Sequence, residues 1–382
     1  MAVKNVPKKP ARERPQGHDP IRFAVVGLGF IAQASVLPAF RQAKGDAVVT
    51  ALVSADAKKL KVLGKRYDAP VLATYDKYDA LLASGEIDAV YIALPNTMHR
   101  DFTERAARAG IHVLCEKPLA TSLLDAKAMV QACYRANVKL MTAYRLQLEP
   151  ATLTAIEIVR GGDIGEPRLF TSTFSNPVKA PNIRLESDLG GGTIPDIGVY
   201  CINAARHVFQ DEPIEVYAAL SRSKDPRFKQ VEAAASCVLR FPGDRVASFT
   251  CGFATDPQVQ FEVLGTTGRL RLDDAYEIAS DKVLTLSRGN HRKVTRFGKG
   301  DQFAPMLIHF ADCIRGNFDP IASGEEGLRD VRIIEALYRS AKLGRPVALP
   351  AEEPPKRLRR EQQIKGGPIR QVELVNARAP GG

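Results

Sequence analysis

Short apolar runs alternate with stretches of helical period through the first 145 residues of this chain. Ile21–Val26 reads as a strand, followed by a glycine turn and a helix to about Gln42. Val48–Val53 is the next strand, with a helix from Asp56 to about Tyr67; a short strand near Val71 and a helix around Tyr75–Ala83 follow. Ala89–Ala93 and His112–Cys115 read as strands separated by a helix over His99–Ala109, and a helix over Leu123–Asn137 leads to a last strand, Lys139–Thr142. Strands that are apolar throughout, rather than alternating, are those buried on both faces. The pattern therefore predicts an α/β domain over residues 21–145, a doubly wound parallel sheet with helices on both sides.

Past Leu146 the pattern changes. After a helix near Ala151–Arg160, seven segments read as strands: Arg168–Ser175, Ile214–Ser221, Val231–Phe241, Arg245–Phe253, Val259–Leu264, Arg269–Leu272 and Lys282–Leu286. Connections as short as Pro242-Gly243-Asp244 make hairpins, so a large, open, mostly antiparallel sheet is expected. Two helices, about Gln302–Arg315 and Gly327–Leu343, complete an α+β domain over residues 146–350. Residues 1–20 read as an exposed arm, and residues 351–382, rich in Pro and Arg, as a tail that wraps a surface without joining the core.

Length and composition add exclusions. A chain of 382 residues with 45% hydrophobic and 25% charged residues is an ordinary globular one. It holds no apolar run long enough to cross a membrane. Six cysteines without a CxxC pair suit a reducing cytoplasm, not a disulfide framework or a zinc site, and no metal is expected. Residues 1–20 lack the apolar core of an export signal, so a cytoplasmic protein is expected. Of the formal charge of +11, the segments 1–20 and 351–382 carry +3 each, which leaves +5 on the body. That argues for an anionic small ligand over a nucleic acid, whose binders carry a basic face on the folded domain.

Candidate chemistry starts at Gly27-Leu-Gly29-Phe30-Ile31-Ala32, a G-x-G-x-x-A directly after the first strand. Bare glycines permit a tight turn and close approach of main-chain N–H groups to a pyrophosphate, with the helix N-terminus favouring its charge. The second strand ends at Ser54, where an enzyme using NAD usually carries an acid for the ribose 2′-hydroxyl. A serine there, with Lys59 beyond it, suits a 2′-phosphate, so NADP is expected over NAD, although Asp56 two residues on argues the other way. Leu94-Pro95-Asn96 and His99 follow the fourth strand, where ligands lie in such sheets. Asn96 suits either a helix cap or a cofactor contact, and His99 either a structural role or a ribose contact. The fifth strand runs into Glu116-Lys117-Pro118, which aims a lysine at the nicotinamide position or leaves it on the surface. In the second domain a Gly190-Gly191-Gly192 run precedes Asp196 and Tyr200, four residues apart and so on one face of any helix they begin. Helix capping and packing would explain that pair equally well.

Together, in this order and spacing, these motifs resemble those of the glucose–fructose oxidoreductase and inositol dehydrogenase family, most closely its glucose–fructose (aldose) oxidoreductase branch. The likeness spans roughly residues 21–345, and Tyr91–Asn96, His112–Pro118 and Ala143-Tyr144-Arg145 support it. It implies a Rossmann domain joined to an open sheet that carries homodimer or homotetramer contacts, with Arg145 added to the cofactor site. Lys117 matches the lysine of the family's Glu-Lys-Pro motif. The inositol branch places a histidine four residues after the aspartate; here that position is Tyr200, which points to sugar or dihydrodiol substrates.

The resemblance thus implies an NADP-dependent oxidoreductase that moves hydride between C1 of an aldose and the nicotinamide, giving a lactone, with a second sugar as a conceivable acceptor. A polyol or dihydrodiol dehydrogenase is the alternative within the family. A non-catalytic dinucleotide sensor is the alternative outside it, against which the retention of Lys117 and Tyr200 speaks. Whether NADP stays tightly bound between cycles is left open. Tyr200 would take the hydroxyl proton. A phenol ordinarily holds its own proton to about pH 10, and the Lys117 ammonium would stabilise the phenolate that forms. Asp196 and Arg184 would hold the sugar.

Overall fold

The computed structural model describes residues 19–221 and 223–381; all but the last two residues of the expected N-terminal arm lie outside them. Among these residues the first half of the chain builds one parallel sheet from β1 (Ile21–Val26), β2 (Ala47–Val53), β3 (Val71–Ala73), β4 (Ala89–Ile92), β5 (His112–Cys115) and β6 (Leu140–Thr142). Their order is β3-β2-β1-β4-β5-β6, the doubly wound arrangement, with its switch point between β1 and β4. Alternate residues of β1 serve two separate cores: Phe23 and Val25 face one, Ala24 and Val26 the other. Burial on both faces is the reason Phe23–Val26 reads as uninterruptedly apolar. Phe23 is fully buried between Phe40 and Phe310, with ring centroids 5.4 Å and 6.2 Å away. Phe310 belongs to helix Ala304–Gly316, so the second half of the chain completes the core of the first.

The second sheet is mixed. It comprises β7 (Pro167–Ser175), β8 (Glu215–Leu220), β9 (Ala234–Phe241), β10 (Arg245–Gly252), β11 (Gln258–Gly265), β12 (Arg269–Asp273), β13 (Lys282–Arg288), β14 (His291–Phe297) and the two-residue β15 (Val347–Ala348). The order is β14-β13-β12-β11-β7-β10-β9-β8-β15, and the β7–β10 pair is its parallel neighbour pair. Along β9, Ala235, Cys237, Leu239 and Phe241 are buried while Ser236, Val238 and Arg240 are exposed. This period of two leaves one face of the sheet on the core and the other open. Helices Pro150–Arg160, Val199–Phe209 and Gly324–Leu343 cover the core face.

Neither β14 nor β15 was expected from the sequence. β14 carries four successive exposed residues, His291–Val294, and owes its pairing to the Gly289-Asn290 hairpin with β13 instead of to burial.

Helix Val199–Phe209 is tied to helix Gly324–Leu343 by Arg206, which is fully buried. Its guanidinium donates to Glu212, Glu326 and Asp330 at 2.6–2.8 Å. Thr142, at the end of β6, donates its main-chain N–H to Ala322 at 2.7 Å and so couples the first sheet to the same region.

The C-terminal segment departs from expectation. Instead of lying only on the surface, it buries Leu358 and Val375 in the core. It then crosses to the first domain, where Val375 pairs with the fully buried Gln33: the Val375 N–H donates to Gln33 Oε1 at 2.7 Å, and Gln33 Nε2 donates back to the Val375 carbonyl at 2.9 Å. Among the described residues no helix is long and apolar enough to cross a membrane.

Candidate active site

The carboxyl ends of β1, β4 and β5 open into a cavity of about 1150 Å³ that the second domain closes from the other side. Drug-sized pockets occupy about 300–1,000 Å³, so this space suits a ligand larger than a single sugar.

The glycine turn stands at one end. Gly27 has φ of +91°, and a Cβ there would come within 2.4 Å of the Ala93 carbonyl oxygen, so this position is closed to every side chain. Gly29 lines the cavity, and a Cβ on it would meet nothing within 4 Å: it would stand in the open space of the cavity itself. Phe30 and Ile31 continue the wall at the start of the helical segment 30–40. Gln33 donates to the Leu28 carbonyl at 2.9 Å and steadies the turn from behind.

The loop after β4 contributes Leu94 and Asn96 to the lining, while Pro95 turns the chain behind them. Asn96 is not a helix cap. Its side-chain amide reaches the Gly190 carbonyl at 2.8 Å and joins the loop to the second domain. His99 is not a ribose contact. It is fully buried, and its two ring nitrogens lie 3.1–3.2 Å from the carbonyls of Leu94, Pro118 and Leu119. It joins the β4 loop to the segment after β5, and so positions Lys117 without touching the cavity.

Glu116, Lys117, Asp196, Arg184 and Tyr200 converge on one wall. Lys117 is two residues beyond the end of β5, Asp196 sits in the turn Ile194–Gly198, and Tyr200 in the helix that follows. The Lys117 ammonium donates to the Asp196 carbonyl at 2.6 Å and to its carboxylate Oδ1 at 3.2 Å. Arg184 Nε donates to the other carboxylate oxygen at 2.7 Å. Asp196 is thus an anion shared by two cations, and the sugar-holding role expected of it reduces to the second lone pair of each oxygen.

Burial works against both charges here, but the partners win. The Asp196 pKa falls to about 2 under the pull of Arg184 and Lys117. Burial alone would lower that of Lys117, yet Tyr200, Asp196 and Glu116 leave it raised. Glu116 is shifted the other way: burial outweighs Lys117 and raises its pKa. Its Oε1 accepts from the Tyr91 hydroxyl at 2.7 Å.

Two cations approach the Tyr200 ring, with Lys117 Nζ and the Arg145 guanidinium carbon each 5.0 Å from its centroid. Phe174 and Tyr276 pack around it at 5.5 Å and 5.9 Å. No described residue hydrogen-bonds the Tyr200 hydroxyl, which is free to meet a ligand. Arg145 lines the cavity, but its guanidinium is committed to the Tyr276 carbonyl and to Gln302.

The end of β2 differs from expectation. Ser54 is buried and does not line the cavity; its hydroxyl oxygen accepts from the Asp56 N–H at 3.1 Å. Lys59 does line it. Asp56 caps its helix by accepting from the Lys59 N–H at 3.0 Å, and its second oxygen accepts from Asn376 at 2.9 Å.

Sequence reasoning missed Lys179 and residues 376–380, which also line the cavity. The basic C-terminal composition was the available signal; its destination depends on contacts more than 300 residues apart along the chain.

The residues present fit a phosphorylated dinucleotide: a bare-backbone cradle at Gly29, and Lys59, Lys179 and Arg378 around the cavity without an ion-pair partner among the described residues. Among those residues no cluster of three or more His, Cys, Asp or Glu is placed to hold a metal ion.

Comparison with known proteins agrees with this geometry. Residues 21–144 match an oxidoreductase family with an NAD-binding Rossmann fold, and residues 152–271 match the GFO/IDH/MocA C-terminal domain. The chain is 30% identical to a D-xylose 1-dehydrogenase (NADP(+)) from Haloarcula marismortui over 346 residues, 88% of this chain and 96% of the relative. Among solved structures it is similar to aldose–aldose oxidoreductase from Caulobacter crescentus, with a TM-score of 0.83, 35% identity and coverage of 87% of this chain and 100% of that one. A 3-ketoreductase from Actinomadura kijaniata, solved with NADP and TDP-benzene, superposes with a TM-score of 0.77 at 30% identity, covering 84% and 98%.

Proposed function

The chain belongs to the GFO/IDH/MocA family of oxidoreductases, and from that premise we propose that it oxidises the anomeric C1–OH of an aldose to a lactone with NADP. At the coarser level it is an NAD(P)-dependent sugar oxidoreductase acting on CH–OH groups. The observation that carries the finer reading is the placement of Tyr200, with its hydroxyl free, on the same wall as the buried ammonium of Lys117.

Gly29, Phe30 and Ile31 would hold the pyrophosphate side of the cofactor, Lys59 its 2′-phosphate, and Leu94, Asn96, Glu116 and Arg145 the ribose and nicotinamide side. When bound, NADP supplies the acceptor for the hydride that leaves C1. The protein's own share is proton transfer and positioning. Tyr200 accepts the proton of the C1 hydroxyl. Lys117 and Arg145, each 5.0 Å from the ring centroid, stabilise negative charge as it develops on the phenol. Asp196 fixes Lys117 and Arg184 so that both keep their direction toward the substrate. Tyr91 holds the Glu116 carboxyl beside Lys117 through its hydroxyl.

The open face of the second sheet is the proposed contact with a second copy of this chain. Leu169, Tyr217 and Val238 stand on it 38–44% exposed. Light scattering on the wild type and a Val238→Lys variant reads this directly, with a smaller particle expected for the variant. A cytoplasmic location, consistent with six free buried cysteines, belongs to the same reading and is tested by fractionation of the native host.

The function itself is tested with a panel of aldoses, polyols and keto sugars. Absorbance at 340 nm would be followed, with identification of the product. Lactone formation from an aldose is expected; turnover of polyols alone would replace this reading with that of a polyol dehydrogenase.

A further inference from the structure

The C-terminal segment reaches the cavity along a path of specific anchors. The Gly367 carbonyl accepts from the Asp301 N–H at 2.8 Å, and the Pro368 carbonyl from Gln42 at 3.1 Å. Val375 forms its two-way bond with Gln33, the same residue that supports Leu28 in the glycine turn. Asn376 then donates to Asp56 at 2.9 Å, residues 376–380 line the cavity, and the Pro380 carbonyl accepts from the Lys179 N–H at 2.9 Å. The segment is therefore a strap, fastened to the first domain beside the glycine turn and to the second domain across the cleft.

Two consequences meet at the end of β2, where a dinucleotide's ribose 2′ substituent is read. Asp56 is the acid that could accept from a free 2′-hydroxyl, and the strap occupies it: one oxygen holds Lys59 N–H, the other Asn376. Two residues further on, Arg378 lines the cavity and has no ion-pair partner among the described residues. A guanidinium presents a planar fork that matches phosphate geometry. Ser54, which the sequence offered for that contact, is buried instead.

We propose that the C-terminal strap is a wall of the dinucleotide site, that Arg378 pairs with the 2′-phosphate, and that NADP selectivity therefore comes largely from the far end of the chain. The proposal rests on the reading that this cavity takes a phosphorylated dinucleotide. The strap also crosses the opening between domains, so a bound dinucleotide leaves only when the strap lifts, and slow release follows from the same contacts.

The test is equilibrium and stopped-flow binding of NADP and NAD to the full-length protein, without turnover. Calorimetry suits the equilibrium measurement because the chain has no tryptophan to report on binding. Loss of one charge-assisted phosphate contact in Arg378→Ala is expected to weaken NADP about 10- to 100-fold. NAD binding should be nearly unchanged, which also certifies the fold, and Arg378→Lys should recover part of the loss. Asn376→Ala, which unfastens the strap from Asp56, should speed dissociation of both dinucleotides. The proposal is overturned if Arg378→Ala leaves the NADP-to-NAD ratio intact while Lys59→Ala lowers it; NADP specificity then stands without the strap. It is also overturned if Arg378→Ala weakens both dinucleotides equally. A wild type that binds NAD as tightly as NADP would remove the underlying reading together with the proposal.

Discussion

Lys117 sits over the face of Tyr200, its Nζ 5.0 Å from the ring centroid, while its hydrogen bonds go to Asp196. The ammonium therefore acts on the phenol through the field it sets up and leaves the hydroxyl free for a ligand. Such an arrangement is electrostatic preorganisation: the cation is held in place before any charge develops, so no reorganisation is needed when it does.

Tyr200→Phe removes the proposed proton acceptor and keeps the ring that packs against Phe174 and Tyr276. Turnover should fall about 10²–10⁴-fold, the usual weight of a positioned acid/base, with dinucleotide affinity little changed. Lys117→Ala should cost as much in turnover and, because Lys117 also lines the cavity, weaken dinucleotide binding as well. Steady-state kinetics with binding titrations separates the two. Tyr200→Phe with near wild-type kcat would show that another group takes the proton.

Gly27→Ala tests the turn. The new Cβ would lie 2.4 Å from the Ala93 carbonyl oxygen, in a backbone conformation that L-residues rarely adopt. β1 or β4 must shift, and the loss of stability should reach several kcal/mol, beyond the typical point mutant's ~1 kcal/mol. Denaturant unfolding measures it. A Gly29→Ala protein, whose Cβ faces open cavity, should instead keep its stability and lose dinucleotide affinity.

The first sheet was legible in the sequence because its central strands are buried on both faces and helices alternate with its strands. The glycine turn, Lys117, Asp196 and Tyr200 were legible as a motif set, and the fold brings them to one cavity. What the sequence hid depends on long-range closure. Whether Ser54 faces the cavity or a turn, and whether His99 meets a ligand or three carbonyls, is decided by neighbours that no local window contains. β14 was missed because an edge strand with exposed residues on both faces has no burial pattern to read. The strap was read as a surface tail because its low apolar content conceals the few positions, Leu358 and Val375 among them, that bury.

Arg206→Ala addresses the joint between helices Val199–Phe209 and Gly324–Leu343. Removing a fully buried guanidinium leaves Glu212, Glu326 and Asp330 in the interior without their shared cation. Breaking a buried pair in this way costs about 3–5 kcal/mol. The unfolding midpoint should drop accordingly. Since the same helix carries Tyr200, the activity that remains should be lost at a lower temperature than in the wild type.

The Lys117–Asp196–Arg184 set also makes a prediction about pH. Asp196 has its pKa lowered from 3.8 to about 2 in the folded protein, so its ionised form is favoured by folding. A depressed carboxylate contributes stability that is complete above its unfolded pKa and is lost as pH falls through the folded one. The window is therefore about pH 4 to pH 2, and the amount, at 1.36 kcal/mol per unit, is about 2 kcal/mol. Lys117 has the opposite sign: its raised pKa keeps stability complete below 10.5 and loses it only above. Between these limits both groups stay charged, and neither should place a limb in the pH–rate profile. Unfolding free energies measured at pH 5, 4 and 3 should fall more steeply for the wild type than for Asp196→Asn, which has no carboxylate to protonate at that site. Parallel slopes would mean that Asp196 is not held ionised by Lys117 and Arg184, and the positioning role given to it would fall with that result.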